Sequence, residues 1–336
     1  MTRRSFVSVA AAAGMAPMMP ASQKQTTLGF TPASTTVKRV REPMAYLDYF
    51  ASMGFGGGQI GIRGNTPLET VHAVRDKAAS MGLYLEGSTG LARDDSDECE
   101  NRLKLYKEEL GVNVFRTTCL SGRRYETFNT LGEWREAVKE FKRRLALTVR
   151  VCERLKITMA VENHKDWTVE DNLQLLKEFE SEYFGVCLDF GNNVALLDDP
   201  DGTIEALAPY AAAMHFKDVG VEAYEDGFLI AQVPLGTGII DLKKAAAVLK
   251  RHNPKINFSL EMMSRNPLKV PCLTDKYWAT FPHRSGRYLS RALAMVKQKG
   301  RKLHDMTDMS QQEKLDFERK NFDICVAYAR DELGLV

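Results

Sequence analysis

The chain has no CxxC pair. Its six cysteines, Cys99, Cys119, Cys152, Cys187, Cys272 and Cys325, are scattered through 336 residues, so neither a zinc ribbon nor a disulfide framework is spelled out. It has no dominant charge either. Against 46 Lys and Arg stand 44 Asp and Glu, a formal net charge of +2, and no basic block of five or more residues occurs, which excludes the footprint of a nucleic-acid or membrane-surface binder. No apolar run approaches the ~20 residues of a membrane span, so stable membrane insertion is not expected. No Gly-, Ser- or Pro-rich linker divides the chain after residue 26. What is present, 44% apolar and 27% charged residues, describes an ordinary globular protein with a sizeable core. Small-molecule chemistry follows as the first expectation.

The first 25 residues stand apart from this pattern. Thr2-Arg3-Arg4-Ser5-Phe6-Val7 leads into a mild alanine-rich run, then Pro17 and Pro20, then a polar stretch from Ser22. A paired arginine ahead of a short, weakly apolar segment resembles a twin-arginine export signal. Residues 1–25 are accordingly read as signal and linker, and the protein as exported, periplasmic or extracellular.

From residue 26 strand-like and helix-like stretches alternate. Strands are expected at 27–31, 58–62, 83–86, 112–117, 158–164, 185–190, 211–216 and 256–262. Helices are expected at 44–53, 68–81, 98–110, 131–155, 169–179, 203–207 and 242–251. Gly54, Gly82 and Gly111 each follow a helical stretch, where a left-handed residue ends a helix cheaply. Eight such repeats in roughly 250 residues match a TIM barrel. The predicted fold is therefore an α/β (β/α)8 TIM barrel over 26–265, with a C-terminal loop and helical extension over 266–336 that packs on the barrel. Between the seventh strand and the helix at 242, residues 227–230 and 232–234 look like a hairpin. Residues 264–281 look like loop, and helices follow at 286–297 and 310–333. Additions of this kind can cover the mouth of a barrel or form a homo-oligomer contact.

Four of the strands share one layout: a short apolar run ending in a residue able to bind a metal. These are Glu162, Asp189, His215 and Glu261. Two positions earlier stand Ala160, Cys187, Ala213 and Ser259, all small; one position earlier stand Val161, Leu188, Met214 and Leu260, all larger and apolar. Side chains two apart share a face of a strand, so the small residues belong inside a closed barrel and the larger ones outside against helices. Ends of strands five to eight surround one mouth, where three carboxylates and an imidazole make a mostly hard ligand set. Mn²⁺ suits it first, with Mg²⁺, Co²⁺ or Zn²⁺ also possible partners.

Val161-Glu-Asn-His, Cys187-Leu-Asp-Phe-Gly-Asn, Met214-His-Phe-Lys-Asp, Pro234-Leu-Gly-Thr-Gly and Ser259-Leu-Glu resemble the xylose isomerase-like TIM barrel superfamily, in its sugar (phosphate) isomerase/epimerase branch. The resemblance implies one divalent metal ion held by Glu162, Asp189, His215 and Glu261, and a carbohydrate substrate. It implies that Glu162 and Glu261 also exchange protons with the carbon beside the carbonyl of a keto sugar, through an enediolate. Ketose 3-epimerases of the branch carry a substrate-binding His where this chain has Asn192, and an Arg where it has Val221. His164, Asn192 and Lys217 are therefore the expected substrate contacts. The superfamily's three-zinc DNA repair enzymes need additional histidines; this chain has six, and none ends strand two or three. Two alternatives accompany the isomerase or epimerase reading. One is a carbon–oxygen lyase or hydratase that expels a β-substituent from a 3-keto-glycoside in the same site, and the other is a catalytically silent sugar-binding barrel.

Overall fold

The structure, a computed structural model, describes residues 26–336; the export signal expected at 1–25 lies outside the described residues. Eleven strands occur among them: β1 (Leu28–Phe30), β2 (Gly57–Ile60), β3 (Tyr84–Ser88), β4 (Val114–Thr117), β5 (Thr158–Glu162), β6 (Phe184–Leu188), β7 (Ala211–Phe216), β8 (Asp218–Tyr224), β9 (Gly227–Val233), β10 (Phe258–Leu260) and β11 (Leu268–Val270). Strands β1 to β7 and β10 are parallel and close on themselves, β10 pairing with both β7 and β1. With helices between successive strands, this is a (β/α)8 TIM barrel.

Strand parity works as the alternation of residue sizes requires. Ala160, Cys187 and Ala213 form a small buried cluster inside the barrel, whereas Val161, Leu188, Met214 and Leu260 belong to the large core between strands and helices. Each of those outer side chains, fully buried, contributes roughly 1.5–3 kcal/mol. The floor beneath β1 and β2 is filled differently. The Tyr84 ring lies where a Cβ on Gly29 or Gly57 would collide with it, and its hydroxyl is 3.0 Å from the Ser259 Oγ. Large and small residues thus exchange places across the barrel and keep its interior packed.

The helix Leu131–Leu155 begins on Thr130, whose hydroxyl accepts from the Glu133 N–H, and ends on Lys156 at φ 52°. Nearer the site, a capping box between Thr168 and Asp171 starts the helix Val169–Glu178. It fixes the loop after β5 within a few residues of Glu162.

Two expectations are corrected. The segment after β7 is a hairpin, but its strands are β8 and β9, turning at Glu225-Asp226. Gln232 lies within a continuous strand and does not mark a turn, because every residue of 227–233 keeps its antiparallel partner in β8, Gln232 opposite Val219. Residues 264–281 are also not merely loop. They contain β11, which adds to β9 as a third strand, and a short helix, Asp275–Trp278.

The C-terminal helices pack on the barrel. In Gln311–Asp331, the Phe322 ring meets Phe30 at 5.1 Å and Phe55 at 6.4 Å, and the Glu318 carboxylate accepts from the Val37 and Lys38 N–H groups at 2.7 and 3.0 Å. This covers the outer face of β1 and the loops on either side of it. The helix Gly286–Lys299 lies against the hairpin, tied through Lys299 Nζ to the Ile239 carbonyl at 2.9 Å. The segment before this helix reaches the loops after β4 and β6. Arg124 stacks between Trp134 and Phe281, and the Tyr277 hydroxyl donates to the Ala195 carbonyl at 2.9 Å. No helix among the described residues is long and apolar enough to cross a membrane.

Candidate metal centre

The ends of β5, β6 and β7 bring Glu162, Asp189 and His215 together, with one ligand atom from each within 4.8 Å of the others. All three are buried. His215 is oriented from behind: its Nε2 donates to Gln59 Oε1 at 2.9 Å, and Gln59 Nε2 donates in turn to Glu86 at 3.3 Å. That fixes Nδ1 toward the carboxylates, at 3.5 Å from Glu162, 3.8 Å from Asp189 and 3.6 Å from Glu261. Nδ1 makes no hydrogen bond. A buried imidazole nitrogen left bare among carboxylate oxygens is what a metal ligand looks like without its ion, so the residues present fit a divalent cation.

Glu261 lies outside this three-residue group and approaches it at His215 Nδ1 and through the shared Lys217. Its carboxylate is taken by Lys217 and by Gln232 Nε2, the latter at 2.9 Å. Lys217 Nζ also pairs with Asp189 at 2.5 Å. Glu162 is held by Arg116, whose Nε is at 2.7 Å, and by Asn192 Nδ2 at 3.0 Å. Asn192 is the hub of the cluster. Its Nδ2 also donates to Asp189 at 2.7 Å, while its Oδ1 accepts from Lys165 and, at 3.4 Å, from Lys217.

These contacts set the charges. Burial alone would raise the Glu162 carboxyl, but Arg116 and His215 hold it well below the usual carboxylate range. For Glu261 burial is likewise outweighed, by Lys217 and His215, and the group falls to about 2. Burial disfavours charge on His215, yet Cys187 and Glu162 keep its proton well above the usual histidine range; a divalent cation would take the place of that proton. Burial and the neighbouring Lys217 charge push Lys165 down to about 8, and burial with Lys165 brings His164 down to about 4.

Of the seven residues the sequence suggests, Glu162, Asp189, His215, Glu261, Asn192 and Lys217 share one contact network. His164 stands beside it with its Nδ1 buried and unpaired. Lys217 and Asn192, expected at the substrate, instead bind the ligand carboxylates. Five residues escape sequence reasoning: Arg116, Gln59, Glu86, Lys165 and Gln232. The first three had a readable signal, a charged or amide residue in the middle of an apolar barrel strand. Lys165 had none.

The family model described as "Xylose isomerase-like TIM barrel" matches residues 47–280. The chain belongs to that family. Among its relatives, the 3-oxo-isoapionate decarboxylase of Pectobacterium atrosepticum is 28% identical over 234 residues, covering 66% of this chain and 79% of that protein. A D-psicose 3-epimerase solved in the presence of D-fructose superposes with a TM-score of 0.57 at 14% identity, over 91% of this chain and 99% of the other. A family member from Mycobacterium smegmatis in complex with magnesium gives 0.53 at 14% identity, over 80% and 98%. At such identities the superpositions speak for the fold. The family contains epimerases and a decarboxylase, so membership makes this chain one of an enzyme family without fixing its reaction.

Proposed function

We propose that the protein is a divalent-metal-dependent enzyme of keto sugars that moves a proton at the carbon beside the carbonyl, a sugar isomerase or epimerase. The observation carrying this reading is the bare Nδ1 of His215 facing three carboxylates at the mouth of the barrel. Glu162, Asp189 and His215 would hold the ion, Mn²⁺ first, with Glu261 as the fourth ligand. Such an ion, when bound, polarises a carbonyl and stabilises negative charge on its oxygen. Proton transfer falls to Glu162 and Glu261. Each is capped by a cation, Arg116 or Lys217, so a carboxylate becomes a competent base only as its cap shifts toward the substrate oxygens. His164, neutral and unpaired at the edge of the site, is a further substrate contact. Metal-loaded protein incubated with free ketoses and keto-glycosides in D₂O tests the proposal by NMR. Deuterium should appear at the carbon beside the carbonyl, and its absence from every ketose and glycoside would end the isomerase reading.

A second reading is a lyase on the same site, which either forms the enediolate by loss of the proton beside the carbonyl and then uses its electron pair to expel a β-oxygen substituent, or forms it directly by losing carbon dioxide from a β-keto acid. The decarboxylating form is favoured by both glutamates being ion-paired and so weakened as bases, since loss of carbon dioxide needs no proton abstraction, while Lys217 places an ammonium donor beside Glu261. The decarboxylase relative supports it. Released aglycone or carbon dioxide in the same incubation would distinguish this reaction from isomerisation.

Export by the twin-arginine route is part of the proposal. Replacing Arg3 and Arg4 by lysines should leave an active protein in the cytoplasm, and an unaltered protein found wholly in the cytoplasm would contradict it.

A further inference from the structure

Cations and acids are not evenly distributed around the mouth. A cleft of about 480 Å³ at the ends of β1, β2 and β3 is lined by Arg39, Arg41 and Arg63. A second, of about 470 Å³, shares Thr36 and Arg39 with the first and adds Arg265 and Lys314. A third, small void shares Arg265 and Asn266 with the second and reaches inward to Lys165, Lys217 and Asn192. No lining residue of the three is acidic, in a chain whose Lys and Arg outnumber Asp and Glu by only 46 to 44.

The innermost cations matter most. Lys165 is 6% exposed, and its ammonium has the Asn192 Oδ1 as its partner with no carboxylate within 4 Å among the described residues. Arg265, half-buried on the same void, likewise has no side-chain hydrogen bond or ion pair there. A buried ammonium without a counter-charge is costly, and the ligand carboxylates do not need it once a metal is bound: Arg116 and Lys217 offset two of the three, and a divalent ion more than offsets the third. Adding a divalent ion would leave this end of the barrel still more positive. The missing charge must come from the substrate.

We propose that the substrate is a keto sugar acid, its carboxylate received in the void lined by Lys165, Lys217 and Arg265. This rests on the keto-sugar reading of the metal site and adds the charge of its substrate. The void is small, which suits a planar carboxylate better than a tetrahedral phosphate. Asn192 bridges Lys165 to Glu162 and Asp189, so a carboxylate there lies close to the carbons that react. The outer arginines then serve to concentrate anions at the mouth.

Titration calorimetry on the metal-loaded protein tests this with matched pairs that differ in one group: 2-keto-D-gluconate against D-fructose, and 5-keto-D-gluconate against L-sorbose. A charge-assisted contact should make the acid of at least one pair roughly tenfold to a hundredfold tighter, with the preference weakening as salt rises. Lys165→Met should remove most of that preference while leaving metal affinity intact, and Arg265→Met should reduce it. Equal binding of acid and neutral sugar, or a preference that survives both substitutions, would overturn the carboxylate seat and leave the metal-site reading standing. Tighter binding of D-fructose 6-phosphate than of either acid would overturn it in favour of a phosphate. Failure of every sugar and acid to bind would instead bring down the keto-sugar reading, and the carboxylate seat with it.

Discussion

The orientation of His215 can be tested through a residue that touches neither metal nor substrate. Gln59, 1% exposed, accepts the His215 Nε2–H at 2.9 Å. In Gln59→Leu that N–H would be left buried with no water to replace the amide, at a cost of about 1–3 kcal/mol. The ring can relieve the cost by rotating, which takes Nδ1 away from the carboxylates, or by changing tautomer, which puts the proton on Nδ1 and occupies the lone pair a metal would use. Metal affinity should therefore fall ~10–100-fold, the range for losing a partner of a ligating histidine, equivalent to about 1.4–2.7 kcal/mol. Gln59→Glu sharpens the test. A carboxylate can again accept the N–H, but it faces Glu86, whose carboxyl burial pushes up to about 7. Below that pH Glu86 carries a proton and can donate it to the new carboxylate; above it the two repel. Affinity relative to the wild type should thus recover at pH 6 and be lost at pH 8. Competition against a chromophoric chelator at both pH values, with thermal melts to confirm folding, measures this. Gln59→Leu binding the ion within twofold of the wild type would refute the orienting role.

Asp189→Asn and His215→Ala should each abolish binding of the single divalent ion, because both charge and geometry are lost; elemental analysis showing full occupancy in both would remove the metal assignment. Glu162→Gln and Glu261→Gln keep an oxygen donor but lose the basic group, so turnover should drop ~10²–10⁴-fold, and a variant that holds its metal and turns over normally would show that glutamate to be a ligand only. Lys165 makes stability depend on pH. Its folded pKa, about 8, lies below the ordinary 10.5, so between those values the unfolded chain binds the extra proton and stability rises with pH, by roughly 3 kcal/mol in all. Lys165→Met should flatten that rise in denaturant titrations from pH 7.5 to 10.5, and an unchanged slope would mean the ammonium is better solvated than its burial implies.

The barrel was legible because its strands carry a rule of period two. Small residues at Ala160, Cys187 and Ala213 and larger ones at Val161, Leu188 and Met214 have no other common explanation, and the structure puts the first set inside and the second outside. The hairpin was misread because Gln232 looks like a break in an apolar run, whereas in the fold its amide is a site contact to Glu261. Local pattern carries no information about such a partner. The partners of the cations were illegible for a related reason. Lys217 was legible as a site residue and Arg116 stood out in an apolar strand, but only closure of the barrel shows that they face Glu261 and Glu162. Lys165 lies in a loop whose path depends on the Thr168 and Asp171 cap that follows it.

Asn192 explains how Lys165 can sit beside Glu162 and Asp189 without pairing with either. Its amide is uncharged and two-faced: Nδ2 donates to Glu162 and Asp189, while Oδ1 accepts from Lys165 and Lys217. Its orientation is fixed by these four neighbours, since a flip would set donors against ammonium groups and an acceptor against carboxylates. A histidine in this place could donate to the acids, but its other ring nitrogen would have to serve two ammonium groups with a single lone pair. A carboxylate would accept from both lysines and repel both acids. An amide alone keeps the ligand side acidic and the Lys165 side cationic at the same time. That separation leaves one pole for a metal ion and the opposite pole for an anionic group on the substrate.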